Sequence, residues 1–120
     1  MLLNIAVFPL QDSGNSAFKK GDYSLAVEHY SACLELDSTL VAARNNRAMA
    51  LLKLQRWQDA LTDCDQVLSD EPGNVKALLR KAEAHKQLGD LLTARTVFES
   101  ALALEPANQE AMNGLASISS

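Results

Sequence analysis

Residues 41–74 read VAARNNRAMALLKLQRWQDALTDCDQVLSDEPGN, and the chain on either side repeats their pattern. Shifted by 34 residues, this stretch matches 7–40 (VFPLQDSGNSAFKKGDYSLAVEHYSACLELDSTL) and 75–108 (VKALLRKAEAHKQLGDLLTARTVFESALALEPAN). With Val7, Val41 and Val75 as position 1, position 8 is Gly14, Ala48 and Ala82. Position 20 is Ala26, Ala60 and Ala94, and position 27 is Cys33, Val67 and Ala101. Small side chains at fixed positions let two helices approach closely. Bulky groups are mostly set opposite them: Tyr23, Trp57 and Leu91 at position 17, then Tyr30, Cys64 and Phe98 at position 24. Leu34, Leu68 and Leu102 continue the apolar stripe at position 28. Ser38, Pro72 and Pro106 occupy position 32, where proline cannot continue a helix.

Each repeat reads as two amphipathic helices, A and B, joined at Gly21-Asp22, Gln55-Arg56 and Gly89-Asp90. The pattern predicts A helices over 9–20, 41–54 and 75–88, and B helices over 24–36, 58–70 and 92–104. Pro9 is expected in the first turn of a helix, where its missing N–H costs nothing. The apolar start of the chain has no basic region or small-x-small cleavage site, so it reads as the approach to that helix rather than a secretory signal. Residues 108–117 supply a final amphipathic segment with Ala111, Met112 and Leu115 inward, although Gly114 lowers its helix propensity. The expected division is a lead-in over 1–8, repeats over 9–107 (7–40, 41–74 and 75–108 by register), and a capping helix and tail over 108–120. Composition agrees. Only 5% of the 120 residues are aromatic and Ala, Leu, Glu, Lys and Gln abound, which disfavours a β-sandwich or barrel.

A 34-residue period with this small, bulky and proline pattern resembles the tetratricopeptide repeat, and the resemblance covers residues 7–108. It implies an all-α fold: three stacked helix-turn-helix repeats plus a C-terminal capping helix, in a right-handed superhelical solenoid. One helical pair cannot bury its own apolar stripe, so stacking is what lets such a chain fold. In this family A helices line a concave wall that takes extended peptides.

The charges follow the same division. The three A windows (7–20, 41–54 and 75–88) hold nine of the 11 Lys and Arg but only Asp12 and Glu83 among 15 acids, a formal +7. The rest of the chain carries −11, and the total is −4. A surface of one sign raises the local potential and draws opposite charge even to a molecule that repels it overall. Part of the excess is expected to pair with B-helix acids, with Arg47 and Lys81 the best candidates. Glu83 is expected to orient Arg80 or Lys86.

Gly14-Asn15-x-x-Phe18-x-x-Gly21-x-Tyr23, Asn45-Asn46-Arg47-Ala48 and Asn74-Val75-Lys76-Ala77-x-x-Arg80 are similar to the carboxylate-clamp domains of co-chaperones. Those domains hold the C-terminal Glu-Glu-Val-Asp tails of the 70- and 90-kDa heat-shock chaperones. The resemblance implies that Asn15, Asn46, Lys76 and Arg80 bind the peptide's carboxylates, and that no cofactor is used. The fifth clamp position, usually Lys, is Gln11 here, which can donate a hydrogen bond but brings no charge. Phe18, Lys19, Met49, Leu52, Lys53 and Glu83 would complete the groove, the apolar members taking the peptide's Val. The stretch from Asn45 to Arg80 is also similar to the first such domain of sperm-associated antigen proteins, which assist dynein-arm assembly. That likeness, with the departure at Gln11, leaves open a scaffold that recognises a different peptide or helix. A cytoplasmic setting is implied.

Other chemistry is disfavoured. A net negative chain does not neutralise a phosphate backbone, and no run reaches the roughly 18 apolar residues of a membrane span. Cys33 and Cys64 lack metal-ligand spacing and read as reduced core thiols. His29 and His85 fall in different repeats, and Asp63-x-Asp65 lacks the Gly and distal Glu of a calcium loop. No nucleophile elbow, phosphate loop or HExxH motif occurs, so an enzyme is not expected.

Overall fold

The computed structural model describes residues 2–119, which form seven helices and no strand. They are α1 (Leu2–Lys19), α2 (Tyr23–Leu36), α3 (Val41–Lys53), α4 (Trp57–Asp70), α5 (Val75–Gln87), α6 (Leu91–Leu104) and α7 (Gln109–Ser119). Met1 of the expected lead-in and Ser120 of the expected tail lie outside the described residues. The B helices begin one residue earlier than expected, because the bulky residue at position 17 (Tyr23, Trp57, Leu91) forms the first turn itself.

The N-terminal start differs more. Helix α1 runs back to Leu2, so Pro9 lies inside it rather than in its first turn. A proline there removes one i→i−4 hydrogen bond. The segment ahead of it stays helical because it is anchored. Val7 is buried, and the Cys33 thiol of α2 donates to the Val7 carbonyl at 3.6 Å.

The chain divides into two compact units, 1–56 and 57–120, the boundary falling within the middle 34-residue repeat. In the first unit, α1 and α2 pack around Ala17, Ala26 and Tyr30, with Ala50 of α3 and partly buried Phe18, Tyr23 and Val27. Gly14 is required here, since a Cβ at that position would stand 2.6 Å from the Tyr30 ring. A second cluster joins α2 to α3 through Cys33, Leu34 and Ala43, with Leu10 and Leu40 against it.

In the second unit, Leu78, Leu79 and Ala82 of α5 meet Ala94, Val97, Phe98 and Ala101 of α6 and Ala111 of α7. Gly114, the residue that weakens α7 as an isolated helix, is buried and required here, since a Cβ there would stand 2.4 Å from the Phe98 ring. Packing outweighs a propensity deficit of about 1 kcal/mol at this site.

The A helices share one ending. Gly21, Gln55 and Gly89 take positive φ (81°, 61° and 85°). In each case the next residue donates back to the carbonyl five residues earlier: Asp22 to Ala17, Arg56 to Leu51 and Asp90 to His85. This is the Schellman closure, which satisfies carbonyls the helix end would otherwise leave open. Asp22 and Asp90 then cap the following helices, accepting from the N–H of Leu25 at 3.2 Å and of Thr93 at 3.4 Å. Asn74 and Asn108 cap α5 and α7 in the same way, accepting from Ala77 at 3.0 Å and Ala111 at 2.9 Å.

Candidate functional site

In the first unit the structure brings Asn15 and Asn46 together. Asn15 sits on α1 and Asn46 on α3, and both are half-buried. The Asn15 Oδ1 accepts from Asn46 Nδ2 at 3.3 Å and also from the Tyr30 hydroxyl of α2. Two donors on one oxygen orient the amide, leaving the Asn15 Nδ2 group with its N–H donors directed elsewhere. Gln11 lies one turn before Asn15 on the same face of α1 and is half-buried.

The remaining residues expected to line a groove differ in accessibility. Phe18 packs edge-on against Tyr23, with ring centroids 5.1 Å apart and planes at 68°. Lys19 and Lys53 are exposed and Met49 is half-buried. Leu52 keeps only 9% of its surface and so has little left to offer a ligand. Tyr30 is the residue that sequence reasoning missed, having been read as packing bulk alone. The available signal was that tyrosine occupies position 24 only in the repeat whose position 9 is Asn15.

In the second unit Lys76 and Arg80 lie one turn apart on α5, so they share a face. Lys76 is exposed and Arg80 half-buried. The Arg80 Nε and one terminal nitrogen are buried, with no hydrogen-bond partner among the described residues. Burial pulls the guanidinium below its ordinary pKa, with Cys64 and the Glu110 carboxylate partly opposing. Arginine nevertheless stays protonated at neutral pH. A charged donor held dry without an acceptor is unfavourable by about 1–3 kcal/mol or more, and an anion placed there relieves it.

Three other A-helix cations, Lys81, Arg47 and Lys86, are engaged within the fold. Lys81 meets Asp65 of α4 at 2.8 Å, the pairing expected at position 7. Arg47 donates to the Ser31 hydroxyl at 3.1 Å. Glu83 faces Lys86 at 3.6 Å and accepts from Gln87 at 3.5 Å, so its partner is Lys86 rather than Arg80. Lys86 also reaches the Ser117 hydroxyl of α7 at 3.0 Å.

Cys33 and Cys64 are free and buried. Burial raises both thiols, Cys64 to about 12, so neither is a thiolate at neutral pH. Among the described residues no three His, Cys, Asp or Glu side chains are placed to hold a metal ion. No helix among them is long and apolar enough to cross a membrane.

Residues 12–75, 45–106 and 79–119 each match the tetratricopeptide repeat family. The chain belongs to this family. It is 45% identical over 105 residues to sperm-associated antigen 1 of Rattus norvegicus, which covers 88% of this chain but only 12% of that relative's length. The tetratricopeptide fold is that of the second TPR domain of the human RPAP3 protein, solved in complex with HSP70 peptide SGPTIEEVD. The TM-score is 0.91 at 35% identity, covering 98% of both chains. The first TPR of Spaghetti (RPAP3) bound to HSP90 peptide SRMEEVD superposes with a TM-score of 0.90 at 33% identity, covering 94% of this chain and 90% of that one.

Proposed function

We propose that this chain is a non-enzymatic, cofactor-free module of a cytoplasmic co-chaperone. In this reading it binds the acidic C-terminal tails of Hsp70 and Hsp90 chaperones, and neither nucleic acid nor a membrane is a partner. Asn15 and Asn46 of the first unit supply neutral, directional donors to the peptide's carboxylates. Lys76 and Arg80 of the second supply charge. The observation that carries the reading is Arg80, a half-buried cation with unpartnered donors one turn from the exposed Lys76. Similarity to two domains solved with peptides ending in Glu-Glu-Val-Asp supports the same ligand.

A terminal Asp offers two carboxylates, each of which must replace lost water with donors. Hydrogen bonds to charged groups contribute about 1.5–3 kcal/mol each, roughly twice the neutral ones. Gln11 supplies no charge, so binding is weaker by about 1–3 kcal/mol than with Lys at that position.

The test is calorimetric titration with a Glu-Glu-Val-Asp peptide at low salt, alongside its C-terminally amidated control. Saturable binding of the free acid, lost on amidation and weakened by salt, is the expected result. Absence of saturable binding by the free acid overturns the reading. The neutral Gln11 beside exposed Asp12 favours one alternative, a scaffold that recognises a different peptide or helix within a larger assembly. Peptide binding insensitive to both Lys76→Ala and Arg80→Ala would select it.

A further inference from the structure

We infer that Tyr30 is a positioning residue for peptide recognition: its buried hydroxyl sets the orientation of the Asn15 amide, so that Asn15 presents N–H donors rather than its oxygen to an acidic ligand. This rests on the function proposed above and adds to it a residue that does not itself touch the peptide.

Tyr30 is 1% exposed, with its ring against Gly14 and its hydroxyl donating to Asn15 Oδ1. Phenylalanine would fill the same space, so packing does not explain the hydroxyl. The internal repeats provide the control. Position 24 is Tyr30 where position 9 is Asn15, but Cys64 where position 9 is Met49 and Phe98 where it is Glu83. The hydroxyl at position 24 thus occurs only in the repeat that has an amide at position 9 for it to orient.

An unrestrained Asn amide has two orientations, and they offer opposite chemistry to a carboxylate. With its oxygen outward it repels the anion; with its nitrogen outward it donates to it. Asn46 Nδ2 supports the second state at 3.3 Å, a long bond. The Tyr30 hydroxyl is the second restraint, and its ring is held by the packing of α1 against α2.

The test is a double-mutant cycle of Tyr30→Phe and Asn15→Ala, read by calorimetry with the free-acid Glu-Glu-Val-Asp peptide and by thermal unfolding. Tyr30→Phe is expected to weaken binding about 3- to 10-fold, the range for one neutral hydrogen bond. In the Asn15→Ala background the same change is expected to have no further effect on binding. An equal loss in both backgrounds, or no loss in the first, overturns the inference. Side-chain amide NMR of the free protein reads the inference without any peptide. The Asn15 Nδ2 resonances are expected to shift and broaden in Tyr30→Phe, and unchanged resonances overturn it. If the wild-type chain binds no free-acid peptide, the proposed function fails, while the NMR result still decides whether Tyr30 orients Asn15.

Discussion

The two units prepare their donors in opposite ways. In the first, the Asn15 amide is neutral and doubly hydrogen-bonded, so its direction is defined before any ligand arrives. In the second, Arg80 is charged and half-buried, and its Nε and one terminal nitrogen are buried with no hydrogen-bond partner among the described residues. Orientation is cheap to build because neutral amides can satisfy one another. Charge is costly to bury, and that cost is recovered only when an anion binds. In the function proposed above, Asn15 contributes direction and Arg80 contributes most of the attraction.

The most severe way to break this contrast is to remove the charge. Arg80→Ala or Lys76→Ala should weaken the free-acid peptide by about 1.5–3 kcal/mol, roughly 10- to 150-fold, with a shallower salt dependence. Asn15→Ala should cost less and leave the salt dependence intact. Identical salt responses for all three variants in a calorimetric series would show that the two units do not divide the work this way.

The glycines sharpen the comparison next. Gly14→Ala and Gly114→Ala each push a Cβ into an aromatic ring and should destabilise the fold by about 1–3 kcal/mol in urea unfolding. Gly14→Ala should also weaken the peptide, since it displaces Tyr30. Gly114→Ala, against Phe98, should leave affinity unchanged.

Restoring a cation in the first unit runs the contrast in reverse. Gln11→Lys should tighten the free-acid peptide by about 1 kcal/mol, roughly 5-fold, with a steeper salt dependence. No tightening at low salt would mean that position 11 does not meet the ligand.

The smallest effect concerns the turns. Gln55 holds a left-handed conformation that glycine supplies at positions 21 and 89. Gln55→Gly should raise stability by a net ~0.5 kcal/mol, relief of ~1–2 kcal/mol of strain being offset by glycine's greater chain entropy. Thermal unfolding that shows a loss instead would mean that the Gln55 side chain contributes contacts which outweigh its strain.

Much of this was legible in the chain. The 34-residue period placed each repeat helix to within a residue or two, except for the start of α1. The spacing of Lys76 and Arg80 put both on one face, and the Lys81–Asp65 pair was foreseeable from alternating charge along successive helices. Pro9 misled because a rule about helix starts is local, whereas the helix ahead of it is held by Val7 and by Cys33, 26 residues away. Gly114 misled for a similar reason. Its propensity is a property of α7 alone, while its requirement comes from Phe98 of α6.

By itself the sequence determined the period, the helices, the family and the separation of positive A windows from a negative remainder. All of these depend on residue type and spacing along one strand of chain. The tertiary structure alone decided which polar groups are satisfied. The two donors on the Asn15 oxygen come from 15 and 31 residues away, and the Arg80 Nε and one terminal nitrogen are buried with no acceptor among the described residues. Hydrogen-bond satisfaction is a property of the packed assembly, since a partner exists only where folding brings one within about 3 Å at a usable angle.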